Sequence, residues 1–309
     1  MLEAFGSVAS IFIMIGIGYL LARKKVLNEE TNQLFSKIFI NVSLPLSIIA
    51  SLPDRFTLDE LMGSSVGILA AFLIILIAYF LSYIMARIVK IRDKERAIFC
   101  ATSSFGNILF IGLPVCTSIY GQEATGYVLL YYIANTTLFW TIGVYNIRKH
   151  SKDHEEINVL ESIKNVFSPP LMGFLIGVGL IVLKIDLPYF IKDAFRHIGN
   201  LATPMSMLFI GTVIYNINFK KIKLNLIIIM NLLGKFLLTP LVAITVLSFF
   251  SLPKTLNSVF ILQAAGPIIS QFALVAERYD VNSKYAAFMV GLSTIFYMFV
   301  VPIYMFFIG

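Results

Sequence analysis

A chain of 309 residues that is 58% hydrophobic, only 13% charged and +0.87 in mean hydropathy cannot cover a soluble surface with charge, since soluble domains carry about 25% charged residues. Its long apolar runs between short polar loops exclude a membrane β-barrel, whose strands would be about ten residues of strict alternation, and define an all-α integral membrane protein. The net charge of +7 fits basic loops that orient a membrane protein, not a nucleic-acid partner.

Ten spans are expected in chain order, at about 3–22, 32–52, 62–86, 96–120, 125–147, 169–184, 198–217, 223–250, 257–277 and 284–308. Most reach the roughly 20 residues that a bilayer crossing needs. Glu3 before the first run, Arg23-Lys24-Lys25 after it and the lack of a small-residue cleavage site argue against a cleaved signal peptide. The sixth span is stopped by Lys184 and Asp186, and the segment KIDLPYFIKDAFRH after it is expected partly in the interface.

Loops after the odd-numbered spans hold 17 Lys and Arg, and those on the other side hold five. The positive-inside rule then places both termini outside and the loop 148–168 in the cytoplasm. That loop divides the chain into residues 1–147 and 169–309, five spans each, so the second half enters from the opposite side. The halves also match in order. Gly16 and Gly18 of span one match Gly177 and Gly179 of span six, and Asn41-x-x-x-Pro45 matches Asn200-x-x-x-Pro204. Gly106-Asn107 in span four matches Gly266-Pro267 in span nine, and TTLF after Asn135 in span five matches STIF from Ser293 in span ten. Each pair is offset by about 160 residues.

Inverted repeats with helix breakers at matching positions mark secondary transporters. Broken backbone is tolerated at membrane depth only where protein or a water-filled cavity covers it. Two interrupted helices can therefore cross near the midplane, where their half-helix N-termini offer N–H groups and positive dipole ends to an anion. Asn107 is the leading candidate: its amide can donate to a carboxylate, or it can cap a half-helix. Gly106 and Gly266 permit close backbone approach, and Pro267 removes a helix hydrogen bond, either to hold the break open or as an ordinary kink. Ser103, Ser104, Gln263 and Gln271 flank the two breaks; the serines can contact substrate or only back-bond within their helix. Asn135, Thr136, Ser293 and Thr294 form a polar band, read equally as cavity lining or as helix packing. Lys235, central in span eight, either attracts the anion or supports a break by binding carbonyls, whereas Lys37 snorkels from a span end.

The absences also discriminate. No Asp or Glu lies deep in a span, since Glu3, Glu123 and Glu277 are all near ends, which argues against a proton antiporter built on intramembrane carboxylates. There is no phosphate-binding loop for ATP and no catalytic constellation, so no enzyme is expected. Cys100, Cys116, His150, His154 and His197 have no ligand-like spacing, so neither a metal site nor a cofactor is expected. GSSVG (63–67) and GFLIG (173–177) suggest close helix packing only.

At NVSLPLS in span two, FGNILFIGLPVCTSIYG in span four, GKFLLTPLV in span eight and AAGPIISQFALVAERYDV in span nine, the chain resembles the auxin efflux carrier family, over essentially its whole length. That family includes plant PIN-type carriers and bacterial permeases for malate, malonate and related anions. The resemblance implies ten helices folded like bile-acid symporters and sodium/proton antiporters. Helices one, two, six and seven would form a scaffold; helices three to five and eight to ten would form a transport domain that moves like an elevator; and the carrier would be a homodimer. It places the crossover Asn on Asn107, the crossover Pro on Pro267 and the helix-eight basic residue on Lys235. PIN carriers have Pro where this chain has Gly106, and a polar residue where it has Ile268; the long plant loop is also lacking. These departures point to a bacterial relative. The expected function is secondary transport of a small organic anion, a carboxylate above all, across the plasma membrane. The alternatives are a Na⁺-coupled symporter of the same fold and a membrane sensor without flux.

Overall fold

The structure, a computed structural model, describes residues 2–149, 167–216, 225–279 and 283–308, and among these there is no β-strand. Among the described residues six stretches are long and apolar enough to cross a membrane: Glu30–Arg55, Val66–Ile88, Ala124–Arg148, Tyr189–Asn216, Leu226–Leu247 and Tyr285–Ile308. Ser10–Arg23, Ile108–Tyr120 and Pro169–Leu183 are apolar but shorter. Among the described residues the six long stretches correspond to the expected second, third, fifth, seventh, eighth and tenth spans, and the expected first span is the 22-residue helix Leu2–Arg23. The expected fourth and ninth spans differ for a local reason: each is two helices separated by a break.

The first expected span is α1 (Leu2–Arg23), and the second is α2 (Glu29–Ile38) joined to α3 (Leu44–Arg55) through a π-turn at Phe39–Ser43. After α4 (Leu58–Ser64) and α5 (Val66–Ile88), α6 (Asp93–Ser104) stops; the chain resumes with a π-turn at Ile108–Gly112 and α7 (Leu113–Tyr120). Next, α8 (Ala124–Leu138), a π-turn at Phe139–Gly143 and α9 (Val144–Arg148) form one rod. Then come α10 (Pro169–Leu183), α11 (Tyr189–Gly199) and α12 (Ala202–Asn216). α13 (Leu226–Leu233) passes through a π-turn at Gly234–Leu238 into α14 (Thr239–Leu247). α15 (Lys254–Ala264), α16 (Gln271–Arg278) and α17 (Ser283–Ile308) complete the chain.

Among the described residues, three of the four π-turns share one cause. Pro45, Pro114 and Pro240 each stand six residues after the first residue of the turn, at 39, 108 and 234. Proline has no N–H to donate, and its ring clashes with the carbonyl four residues back. A single widened turn just before it relieves that clash without ending the helix. The turn at 139 has no such proline.

The chain forms two compact units. Unit 1 comprises Met1–Val66, Leu109–Leu129 and Phe167–Asn216. In it α1 packs along α12, and α3 packs against α10 and α11. A Cβ on Gly18 would come within 2.5 Å of the Leu208 carbonyl oxygen, so the α1–α12 approach requires glycine there. Phe110 stacks between Phe39 and Phe209, with centroids 4.7 and 5.5 Å away. Asp54 at the end of α3 pairs with Lys192 and Arg196 on α11, which leaves Tyr189 and Phe190 exposed at its start. Unit 2 comprises Gly67–Ile108, Leu130–Val166 and Ile217–Gly309. Its core includes Tyr131 edge-on to Phe260, and Phe105 against Tyr79 and Phe139.

Candidate functional site

The site is built where α6 and α15 stop, inside unit 2. An α-helix end leaves its last carbonyls without intrahelical donors, and a break within a membrane must satisfy them from the protein. At Phe105 the backbone turns extended, and Gly106 then forms an isolated antiparallel bridge with Ile268. The Asn107 N–H donates to the Pro267 carbonyl at 2.7 Å. The two breaks expected from Gly106-Asn107 and Gly266-Pro267 are therefore real, and their backbones cross in contact.

Side chains from neighbouring helices satisfy the rest of the crossing. The Gly106 N–H donates to Asn135 Oδ1 at 3.0 Å, and Asn135 Nδ2 donates to the Gly106 carbonyl at 3.2 Å. On the other strand of the crossing, the Ile268 N–H donates to Ser293 Oγ at 3.0 Å, and that hydroxyl donates to the Val290 carbonyl at 2.9 Å. The polar band expected on spans five and ten thus holds one break each: Asn135 holds Gly106 and Ser293 holds Ile268. Thr136 is buried beside it, and Thr294 bonds its own helix at Val290.

The π-turned rod α13–α14 supplies a third wall, which sequence reasoning saw only at Lys235. Asn231 Nδ2 reaches the Phe99 carbonyl, Thr102 Oγ1 and Ser103 Oγ at 3.1, 2.7 and 3.2 Å. The Thr239 hydroxyl lies 2.9 Å from the Ser103 carbonyl, one of those freed by the end of α6, and 3.0 Å from the Gly234 carbonyl inside its own π-turn. A Cβ on Gly234 would sit 2.8 Å from Ser103 Oγ, so α13–α14 can lie this close to α6 only with glycine there. The signal for this wall was present as Asn231, Lys235 and Thr239 at i, i+4 and i+8, one face of a helix.

Against that background four side-chain groups at the site have no partner, or only a long one, among the described residues: those of Lys235, Ser104 and Asn107, and the Asn231 Oδ1. Lys235 is fully buried, and its Nζ has no hydrogen-bond partner among the described residues. It lies 3.5 Å from where a Gly106 Cβ would be, so the ammonium stands at the break. Ser104 Oγ is likewise buried and unbonded, contrary to the back-bonded alternative, whereas Ser103 Oγ accepts from Asn231. The side chain of Asn107 is 4% exposed, and its amide reaches only Ser270 Oγ, at 3.4 Å. Gln263 is buried at the end of α15 and Gly266 follows it, its N–H on the Gln263 carbonyl at 3.0 Å. Gln271 opens α16 with its side chain exposed. Among the described residues Lys235 is the only buried charged side chain. The arrangement offers an ammonium, a hydroxyl and an amide, and no carboxylate among the buried residues, at a helix break.

Comparison with known proteins points to membrane transport. The sequence profile of a family described as membrane transport protein matches residues 3–305. An uncharacterized transporter of Methanothermobacter thermautotrophicus is 25% identical over 96% of each chain, and one of Methanocaldococcus jannaschii is 20% identical over 95% of each. The Arabidopsis thaliana protein PIN-LIKES 1 is 27% identical over 180 residues, 52% of this chain and 38% of that one.

Proposed function

The chain belongs to the membrane transport protein family, which is auxin efflux carrier-like, and is a membrane transporter; from that premise we propose that it carries a small organic anion, a carboxylate, across the cell membrane by alternating access. The observation that carries the reading is Lys235: an ammonium enclosed at the Gly106 break, with no hydrogen-bond partner and no buried carboxylate among the described residues. A lysine at membrane depth costs about 2.5–3.5 kcal/mol on insertion scales, and an arriving carboxylate offsets that cost by pairing with it. Asn107 and Ser104 add directional donors. Asn135 and Ser293 keep the crossing in shape, a positioning task that leaves their polar atoms spent on backbone. In the same reading the two halves are an inverted repeat, and helices three to five and eight to ten carry the substrate past a scaffold of helices one, two, six and seven.

Proteoliposomes loaded with purified protein test it, with a panel of radiolabelled mono- and dicarboxylates offered with and without Na⁺. We expect saturable uptake of at least one carboxylate, abolished by Lys235→Met and kept by Lys37→Met, since Lys37 is exposed. Binding without uptake would identify a sensor, and uptake that requires Na⁺ a symporter.

A further inference from the structure

Lys235 makes no bond that needs its positive charge. The carbonyls at the crossing already have donors. The Ser103 carbonyl accepts from the Thr239 hydroxyl, the Gly106 carbonyl from Asn135 Nδ2, the Gln263 carbonyl from the Gly266 N–H and the Pro267 carbonyl from the Asn107 N–H. The lysine Nζ, enclosed at the Gly106 break, bonds none of them. No charged group compensates it either. Its π-turn packs against α6 and runs from α13 into α14. Neither α13 nor α14 holds an ionisable residue, and the break from Phe105 to Asn107 holds none. On α6, Asp93, Lys94, Glu95 and Arg96 stand in the first turn, eight or more residues of helix before Ser104, about 12 Å at 1.5 Å per residue. On α15 the ionisable residue is Lys254, at its far end from Gln263. The other ionisable group of α6 is the Cys100 thiol, and α17 brings the Tyr304 phenol onto the Phe236 carbonyl of the π-turn. Neither of these carries a charge at neutral pH.

An ammonium shut off from water, with neither acceptor nor counter-charge, costs far more than the neutral amine. On the carboxylate-carrier reading above, from which this inference proceeds, the site crosses the bilayer in two states. Loaded, the ammonium and the carboxylate form a neutral pair. Empty, the same ammonium would return bare. We propose that Lys235 couples the carrier to protons: its amine takes up a proton as the carboxylate binds and gives it back as the carboxylate leaves, so that one proton travels with each substrate molecule. Water on the side of entry gives the proton to the Nζ lone pair, which forms the third N–H bond of the ammonium. On the side of release that bond breaks and the proton returns to water. Losing the proton leaves the crossing intact, because no break carbonyl depends on the ammonium. A monocarboxylate then moves without net charge, and a dicarboxylate moves with one negative charge. A guanidinium at this position could not act in the same way, since it stays protonated.

The test uses proteoliposomes of the purified protein with radiolabelled acetate, lactate, malonate and malate, each corrected for protein-free liposomes. Valinomycin with potassium sets the membrane potential, buffers set the pH gradient, and a trapped pH dye reports proton entry. We expect an inward acid gradient of one pH unit to raise the accumulation of a monocarboxylate by about tenfold, as one proton per molecule requires. The potential should leave that accumulation unchanged, and the dye should report acidification during uptake. A dicarboxylate should respond to both gradients. Lys235→Arg keeps the cation but cannot shed its proton. It should retain exchange of internal for external carboxylate, in which the site never crosses empty, and lose net uptake by about tenfold or more. The wild-type gradients decide alone if that variant does not fold. Net uptake driven by the potential with no proton entry overturns the coupling and leaves the carboxylate reading standing. Net uptake that matches exchange in Lys235→Arg does the same. No uptake of any of the four carboxylates overturns both.

Discussion

Asn107 and Asn135 meet at the same break but differ in how their side chains are engaged. The Asn107 backbone N–H secures the crossing at Pro267, while its amide has only a long contact to Ser270. Both polar atoms of the Asn135 side chain are spent on Gly106. Truncation should therefore separate binding from stability. Asn107→Ala should leave the thermal midpoint nearly unchanged and weaken carboxylate binding by about ten- to a hundredfold, because a hydrogen bond to a charged group contributes about 1.5–3 kcal/mol and 1.4 kcal/mol is one decade. Asn135→Ala should lower the midpoint, since it leaves a buried N–H and a buried carbonyl unpaired, at about 1–3 kcal/mol each. Calorimetric titration and thermal unfolding of the two variants, side by side, check this. A destabilised Asn107→Ala or a stable Asn135→Ala would reverse the assignment. Asn107 and Lys235 could be singled out from sequence because a polar residue inside an apolar run is costly wherever it ends up. What Asn135 bonds could not be read that way: its partner is the backbone of a residue 29 positions away.

The same distinction runs through the helices. The breaks at 105–107 and 265–270 were legible, because Gly-Asn and Gly-Pro weaken a helix whatever surrounds them. The π-turns were not, because a widened turn leaves an apolar run unbroken. Only the proline six residues on hints at one, and the turn at Phe139–Gly143 lacks even that. At Pro240 the consequence is specific. In regular α geometry its N–H would bond the Phe236 carbonyl; lacking it, the structure supplies the Tyr304 hydroxyl, which donates to Phe236 O at 2.7 Å from α17. Tyr304→Phe should then lower the unfolding free energy by about 0.5–1.5 kcal/mol, the net worth of a hydrogen bond to a half-buried carbonyl. Adding Pro240→Ala to that variant returns a backbone donor and should recover part of the loss. A double-mutant cycle on thermal or denaturant unfolding reads the coupling. If the two effects simply add, Tyr304 is packing against α14 and not replacing the proline's missing donor.

For the molecule as a whole, the chain must cross the bilayer an odd number of times between two points that face opposite sides. From the excess of 17 basic residues over five, the loop 148–168 is expected on one side and the turn after α14 on the other, with three expected spans between them. Residues 150–166 lie outside the described structure, so the basic-residue asymmetry alone makes the assignment there. The two native cysteines favour the test: Cys100 and Cys116 are free thiols, 1% and 0% exposed, and so contribute little background to a maleimide label. Ser151→Cys should be protected from a membrane-impermeant maleimide in intact cells and react after permeabilisation. Ser251→Cys, exposed between α14 and α15, should react from outside without permeabilisation. The reverse pattern would invert the orientation while keeping the odd count. Equal labelling from one side would mean an even number of crossings between the two positions in place of the expected spans six, seven and eight, and the second half would then not repeat the first span for span.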